Sequence, residues 1–334
     1  MAARGEAILE VVRAAFPPRF ALEGDRTGLQ VGRVDREIER VLCTLDLTLA
    51  VAEEARDRGA QLVLSHHAVI YRRLEDLRTD QVRGRILETL LKHDVAVYVP
   101  HTALDVVPGG LNDHLAELVG LRDPRFLEAT GSDGARLLVA PAPPDAEAFG
   151  SLLCAQGAQR AWRSGDRLEV LADERTVTFL ARRVEERCGV PPTVFPLASH
   201  ERRRGIGRIG TLERPESLQG LARRLKHRTG APGVRVVSTE PDVVVSKVAV
   251  LGGDGRSFVP AAAAAGADAL VTGDIDHHTA LDARARGLNV IDLGHWASER
   301  QAAALLARGL RERLADLGVE VFESEVDTNP FEWL

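Results

Sequence analysis

The sequence predicts an α/β protein in which one unit is duplicated and a small α+β domain is inserted between the two copies. Short apolar runs alternate with helical stretches, which indicates mainly parallel sheets covered by helices on both faces. The two ends of the 334-residue chain share one pattern at constant spacing, and the middle breaks it. We therefore expect a first half of the core at 1–124, an inserted domain at 125–205 and a second half at 206–334.

The first shared element is a strand–helix–strand unit. It reads VLCTLDLTLAVAEEARDRGAQLVLSHH at 41–67 and VAVLGGDGRSFVPAAAAAGADALVTGDIDHH at 248–278. In both copies 18 positions separate the first valine from a glycine, Gly59 or Gly266. Each glycine comes where a helix should end in a left-handed conformation, so the two segments predict the same fold.

The second shared element is a strand followed by a short break and a His-x-x-x-carboxylate motif. It reads DVAVYVPHTALD at 94–105 and GLNVIDLGHWASE at 287–299. The histidines and the carboxylates are each 194 residues apart, namely His101 with His295 and Asp105 with Glu299. Two separate coincidences of register make a chance resemblance between the halves a poor explanation.

The middle of the chain predicts its own small domain. ARLLVAPAPPDAEAFGSLLCAQGAQ is typical of a strand, a proline-rich turn and a helix, and the following DRLEVLADERTVTFLARRVEERCGVPPTVFPLAS of a strand, a helix and a strand. The return linker contains a GxGxxG pattern at Gly205, Gly207 and Gly210. No clear strand precedes it and Pro215 follows soon after, so we interpret it as a turn and not as a dinucleotide site.

Composition excludes several classes of protein. The net charge of −6 argues against a broad basic surface for nucleic acid, and the one basic cluster, HERRRGIGR, is short. Three cysteines without CxxC spacing fit a reducing compartment. The N-terminus does not resemble a signal peptide, and no apolar run approaches the roughly 20 residues of a membrane helix. We expect a cytoplasmic protein without nucleic-acid or membrane partners.

Histidines concentrate in the repeated segments. Six of the ten lie there, together with two carboxylates; these eight residues are His66, His67, His101, Asp105, His277, His278, His295 and Glu299. All follow predicted strands, where an open α/β sheet places its ligands. A single histidine would usually be structural, but eight such groups in register favour a site for Zn²⁺, Mn²⁺, Fe²⁺ or Ni²⁺. Two ions about 3.5–4 Å apart are a common hydrolytic arrangement.

The two histidine doublets are not equivalent. His66 and His67 follow Gly59 by seven and eight residues. The second doublet, His277 and His278, follows Gly266 by eleven and twelve residues. The duplication therefore aligns His66 with Gly273. This favours metal binding by the first doublet, and a supporting or proton-transfer role for the second.

At these residues the chain resembles the Nif-three-like dinuclear-metal family, whose members are often called GTP cyclohydrolase I type 2 homologues. The matching stretches are GLQVG, CTLDLT, SHH, HTALD, TGDIDHH, NVIDLGHWASE and DTNPF. The resemblance implies two intertwined α/β/α units, a shortened PII- or CutA-like insertion, and a ring-shaped homohexamer with metal sites facing an internal cavity. Ala68 and Ala103 depart from the usual proline and asparagine, which bears on the substrate and not on the ligands.

The resemblance also implies a ligand set for two divalent ions. His66, Asp105 and Glu299 would hold one ion, and His67, His295 and again Glu299 the other. His101 would be a nearby unligated residue or an alternative ligand. Three protein ligands for each ion leave positions open for water or substrate, as in catalytic sites.

Two functions follow from this pattern. The first is a metal-dependent hydrolase acting on a small, nucleotide-like molecule, with His278, His277 or His101 as general acid or base. The second is a metal-binding regulator or metal-trafficking scaffold without turnover, suggested by the sensor-like insertion and the expected ring.

Overall fold

The structure is a computed structural model. It describes residues 3–173 and 176–333, apart from the side chains of 132–134 and 198–203. The chain divides into two compact units, unit 1 from Met1–Glu128 with Gly205–Leu334 and unit 2 from Ala129–Arg204.

Strands and helices alternate along the chain, which confirms the predicted α/β class. The strands are β1 (Ala3–Arg4), β2 (Gly28–Val31), β3 (Glu37–Ile38), β4 (Arg40–Thr44), β5 (Leu62–Ser65), β6 (Ala96–Val99), β7 (Leu121–Pro141), β8 (Arg160–Ser164), β9 (Arg167–Asp173), β10 (Thr193–Ser217), β11 (Arg235–Val237), β12 (Val244–Asp254), β13 (Ala269–Gly273), β14 (Asn289–Asp292) and β15 (Glu320–Glu323). The helices are α1 (Gly5–Ala15), α2 (Leu49–Asp57), α3 (Val82–Lys92), α4 (Thr102–Val106), α5 (Leu111–Val119), α6 (Ala146–Ala155), α7 (Val177–Cys188), α8 (Leu218–Thr229), α9 (Val259–Ala264), α10 (His277–Ala285), α11 (His295–Glu299) and α12 (Ala302–Ala315). None of the helices in the described ranges has both the length and the apolar character to cross a bilayer.

Unit 1 contains the same sheet twice. In the first copy β4, β5 and β6 are parallel and β2 is antiparallel to β6. In the second copy β12, β13 and β14 are parallel and β11 is antiparallel to β14. The order and direction of the strands therefore repeat, as an internal duplication requires.

The two halves are intertwined. β15, near the end of the chain, pairs in parallel with β4 of the first half, and α12 packs on β4 and α1. In return, α5 of the first half packs on β12 and α8. The buried cluster around Ile8, Leu62 and Leu310 thus draws its residues from both halves.

The glycine pattern lies in a strand, so the prediction of a turn is wrong. Gly205, Gly207 and Gly210 belong to β10, which pairs antiparallel with β12 and neighbours β7. A Cβ atom on Gly205 would collide with the backbone of Glu128, and one on Gly210 with that of Arg122. The glycines allow two long strands to approach closely, a role that the same spacing serves outside nucleotide sites.

Unit 2 is an α+β domain. β9 pairs antiparallel with both β7 and β8, and α6 and α7 supply the helices. Its core includes Leu138, Leu153, Val170 and Leu180. Alternation of buried and half-buried residues along β9 shows that one face of this small sheet carries the core.

Candidate metal centre

Six of the eight predicted site residues converge in unit 1, beyond the carboxyl ends of parallel strands. His66 and His67 directly follow β5, His101 follows β6 after one proline, and α4 and α11 carry the rest of the group, Asp105, His295 and Glu299. The ring centroids of His66 and His67 are 4.9 Å apart, and those of His67 and His295 are 5.1 Å apart. Both copies of the repeat therefore contribute to one cluster.

The inner part of the cluster is buried and short of hydrogen bonds. His66 is 0% exposed, and burial lowers its pKa to about 4, so its ring is neutral. His66 Nε2 lies 3.9 Å from Asp105 Oδ1 and 3.8 Å from Glu299 Oε1. Among the described residues, neither ring nitrogen of His66 nor Asp105 Oδ1 has a hydrogen-bond partner. Native proteins rarely leave buried polar atoms in this state, and a cation bound between His66 Nε2 and Asp105 Oδ1 would satisfy these two atoms.

Glu299 is the carboxylate on which the cluster converges. Its Oε2 lies 3.0 Å from His67 Nε2 and 3.1 Å from His295 Nε2, while Oε1 faces His66. Burial alone would raise the pKa of Glu299, but the imidazoles of His295, His66 and His67 hold it well below its usual range. The same charge adds to burial in raising the pKa of Asp105 well above its usual value. An ionised carboxylate whose two oxygens face different histidines has the geometry to bridge two ions.

A second layer of carboxylates orients three of the histidines. In each pair the ring Nδ1 meets an aspartate oxygen, at 2.7 Å for His67–Asp46, 2.7 Å for His295–Asp274 and 2.5 Å for His101–Asp25. This contact leaves the opposite nitrogen, Nε2, as the ligand atom, which is the usual arrangement around metal-bound histidines. These aspartates were not among the predicted site residues, although Asp46 and Asp274 lie in the family-matching stretches CTLDLT and TGDIDHH.

The aspartates also set the charges of the metal-free site. Burial would lower the pKa of His67, but Asp46 and Glu299 raise it to about 10. Burial would also lower the pKa of His295, but Glu299 and Asp274 raise it to about 9. For Asp25, burial acts upward, and the hydrogen bonds from His101 and Thr102 bring the pKa down to about 2. Protons thus occupy His67 and His295 at neutral pH.

Two overlapping groups of donor atoms have spacing suited to an ion. His66, His67 and His101 form one, and His67, His295 and Glu299 form the other, with all donor atoms of a group within 4.8 Å of one another. These groups can hold a metal ion. His101 is therefore close enough to serve as a ligand.

The second doublet lies outside the cluster. His277 and His278 begin α10, where Asp276 accepts a hydrogen bond from the backbone of Thr279. Both histidines are exposed, and their ring centroids are 5.4 Å apart. Within the described part of the chain neither belongs to a group with metal-binding spacing, so their proton-transfer role stays a prediction.

A cavity of about 950 Å³ opens beside the cluster. His67, His101 and His295 line its polar side. Most of the remaining wall is apolar or aromatic, including Leu47, Leu49, Val69, Tyr71, Val82, Ile86, Trp296 and Phe331, with Arg26 and Arg83 as its cationic residues. The volume lies in the range of small-molecule sites, and the candidate ligands His67 and His295 line it, while His66, Asp105 and Glu299 are buried behind them.

Comparison with known proteins agrees with this architecture. The family model described as Duf34/NIF3 (NGG1p interacting factor 3) matches residues 3–330. A Bacillus subtilis protein named GTP cyclohydrolase 1 type 2 homolog is 34% identical, over 99% of this chain and 98% of its own length. The crystal structure of a Bacillus cereus protein related to NIF3 superposes with a TM-score of 0.86 at 30% identity, covering 100% of this chain and 99% of that one. A Staphylococcus aureus protein gives 0.83 at 26% identity, with 99% of each chain covered.

Proposed function

The chain belongs to the Duf34/NIF3 family, and from that premise we propose that it is a dinuclear-metal-dependent hydrolase acting on a nucleotide-like small molecule. One observation carries the proposal. Within the described part of the chain, buried His66 and Asp105 have nitrogen and oxygen atoms without hydrogen-bond partners, and they lie next to the ionised Glu299 and near a cavity of substrate size. A purely structural cluster would have neither the unsatisfied atoms nor the adjoining space.

We assign one ion to His66, Asp105 and Glu299 and the other to His67, His295 and Glu299. The distances of 3.8–3.9 Å around His66 and 3.0–3.1 Å around Glu299 Oε2 support this division. Nitrogen and oxygen donors without thiolate suit Zn²⁺, Mn²⁺, Fe²⁺ or Ni²⁺. When bound, such ions supply a water of lowered pKa and positive charge for the developing anion.

His101 is the residue we propose for proton transfer. Its ring lines the cavity, and Asp25 holds its Nδ1, so that Nε2 is free to receive or donate a proton beside the ligands. His277 and His278 remain alternatives on the exposed start of α10.

The cavity wall supports a nucleotide-like substrate. Tyr71 and Trp296 offer rings on which a base can stack, and Arg26 and Arg83 offer positive charge for a phosphate group. The Bacillus subtilis relative bears a name that refers to GTP cyclohydrolase, which agrees with a purine nucleotide.

We also propose a homohexamer with the metal sites facing an internal cavity, as the family resemblance implies. Tyr71 and Phe331 line the described cavity and are 54% and 70% exposed in the single chain, so a neighbouring subunit would cover them. Native mass spectrometry should then give six times the 36.2 kDa of one chain.

The test uses purified protein loaded with Mn²⁺, Zn²⁺ or Fe²⁺ and assayed on GTP and a panel of nucleotides. We expect turnover in the wild type and its loss in His67→Ala and Glu299→Ala, with His227→Ala, an exposed histidine on α8, as control. Metal analysis of the same variants should show fewer than two ions per chain. Retention of two ions would contradict the ligand assignment.

Turnover and metal content together separate the hydrolase from the regulator or scaffold. Two bound ions without turnover on any substrate would favour the non-catalytic function. The opening of His67 and His295 to the cavity favours the hydrolase, because a storage site has no need of a substrate-sized space.

A further inference from the structure

The last segment of the chain reaches the metal centre. The Thr328 hydroxyl donates a hydrogen bond of 2.7 Å to Asp46 Oδ2, while the other oxygen, Oδ1, lies 2.7 Å from His67 Nδ1. Residues 46 and 328 are 282 positions apart in sequence. The DTNPF stretch, which marks the family resemblance but has no assigned role, therefore touches the carboxylate behind a proposed ligand.

The segment that carries Thr328 is irregular but anchored. The backbone N–H of Ser324 donates to the carbonyl of Cys43, and that of Glu325 donates to Glu54 on α2. Val326 packs against the buried cluster of the first sheet. Beyond Thr328, Pro330 and Phe331 line the cavity. The threonine is thus held at a defined place and not at a free end.

Asp46 needs a second contact to keep one orientation. Its side chain is about one-third exposed and lies in the turn between β4 and α2. With only the contact to His67, the carboxylate could rotate and release the ring. The hydrogen bond from Thr328 fixes the other oxygen and so fixes both groups.

We propose that Thr328 is a positioning residue of the metal centre, which orients Asp46 so that His67 presents Nε2 to Glu299 and His295. This inference rests on the proposed function, because it assumes that His67 binds an ion. It makes the C-terminal segment part of the metal site as well as part of the cavity wall.

The first experiment measures Zn²⁺ affinity of the full chain by competition with a chromophoric chelator, together with the absorption spectrum of bound Co²⁺. Thr328→Val keeps the shape but removes the donor, and should weaken the affinity about tenfold. Thr328→Ser should restore it. Thr239→Val is the control. It removes a comparable hydrogen bond to Asn289, at the start of β14 and away from the end that leads to His295, and it should leave the Zn²⁺ affinity unchanged.

A double-mutant cycle distinguishes positioning from a general loss of stability. In an Asp46→Ala background, which removes the carboxylate between the two residues, Thr328→Val should have no further effect, since its route to His67 is already broken. An equal loss of affinity in both backgrounds, or no loss in the single variant, would overturn the proposal. Thermal unfolding of each metal-free variant verifies that the chain is folded.

A second readout needs no metal. In the ¹⁵N-labelled metal-free protein, the His67 Nδ1–H proton should exchange slowly with water in the wild type and in Thr328→Ser, and rapidly in Thr328→Val. Unchanged exchange in Thr328→Val would reject the positioning role. The wild type could bind no Zn²⁺ while the Nδ1–H proton of His67 still exchanges faster in Thr328→Val than in the wild type. The proposed function would then fail, but the orientation of Asp46 by Thr328 would stand.

Discussion

His101 adopts a backbone conformation that non-glycine residues rarely occupy, with φ 39° and ψ −122°. Strain of this kind is worth about 1–3 kcal/mol and clusters at functional sites. His101→Gly should therefore have a larger free energy of unfolding than His101→Ala, by about 1 kcal/mol after allowing for the flexibility of glycine in the unfolded chain.

Urea denaturation of the metal-free variants measures this difference. His93, the C-cap of α3, supplies the control because its φ is −106°. There the order should reverse, with His93→Ala more stable than His93→Gly. The strain argument fails if alanine is the more stable substitution at both positions.

Protonation of the metal-free site makes metal binding depend on pH. His67 and His295, with pKa values of about 10 and 9, hold protons at pH 7 that an ion must displace, whereas His66, at about 4, is already neutral. Uptake at pH 7 should release at least two protons per chain, one from each of these histidines, and affinity should rise with pH until about pH 9–10.

Isothermal titration calorimetry in buffers of different ionisation enthalpy counts these protons. In His295→Ala the count should fall by about one. A binding enthalpy that is the same in every buffer would mean that the two imidazoles are neutral before the ion arrives.

Among the elements, β12 has a glycine one residue before its end, and this glycine makes room for the proposed bridging ligand. Gly253 has φ +69°, and a Cβ atom there would collide with Glu299 Oε1. Gly287, with φ +74°, has no heavy atom within 4 Å of its Cβ position in the described structure. Both alanine substitutions strain the backbone by about 1 kcal/mol, but only the one at Gly253 displaces Glu299.

Metal content and Tm separate the two effects. Gly253→Ala should lower Tm like Gly287→Ala and in addition lose metal, because both ions depend on Glu299 in our assignment. If the two variants retain the same number of ions, Glu299 does not need the space at Gly253.

The elements also show where sequence analysis succeeds. The apolar run before His66 predicted β5, and the one before His101 predicted β6. Both predictions succeed because parallel strands buried on both faces are apolar along their whole length. The start of β10 lies in the last strand predicted for the insertion, but its continuation through 205–210 was not predicted, because the arginines and glycines there resemble a solvated linker when β7 is not considered. Asp25 was not predicted as a site residue, because a single carboxylate in a loop is usually solvated and only the folded chain brings it to His101.

On the scale of the whole molecule, the internal repeat predicted two similar units, but residues alone did not show that they exchange elements. β15 joins β4 across a separation that no local pattern encodes, and that intertwining came only from the family resemblance. Long-range contacts such as Thr328 with Asp46 were invisible for the same reason.

The composition of the two units predicts that the metal centre survives removal of the insertion. All the proposed ligands, their aspartates and the cavity lining belong to unit 1. Glu128 and Gly205, which flank unit 2 in sequence, lie close enough that a side chain on Gly205 would strike the Glu128 carbonyl. A two-residue Asn-Gly turn can therefore replace residues 129–204 and join β7 to β10 as a hairpin.

We expect the shortened protein to fold, to bind the same number of ions per chain as the full chain, and to lose them when Glu299→Gln is added. Elemental analysis and circular dichroism measure the two properties. A folded but metal-free product would show that unit 2 takes part in metal binding, which would favour the regulator over the hydrolase. Full metal content without a change in turnover would place the chemistry entirely in the duplicated core.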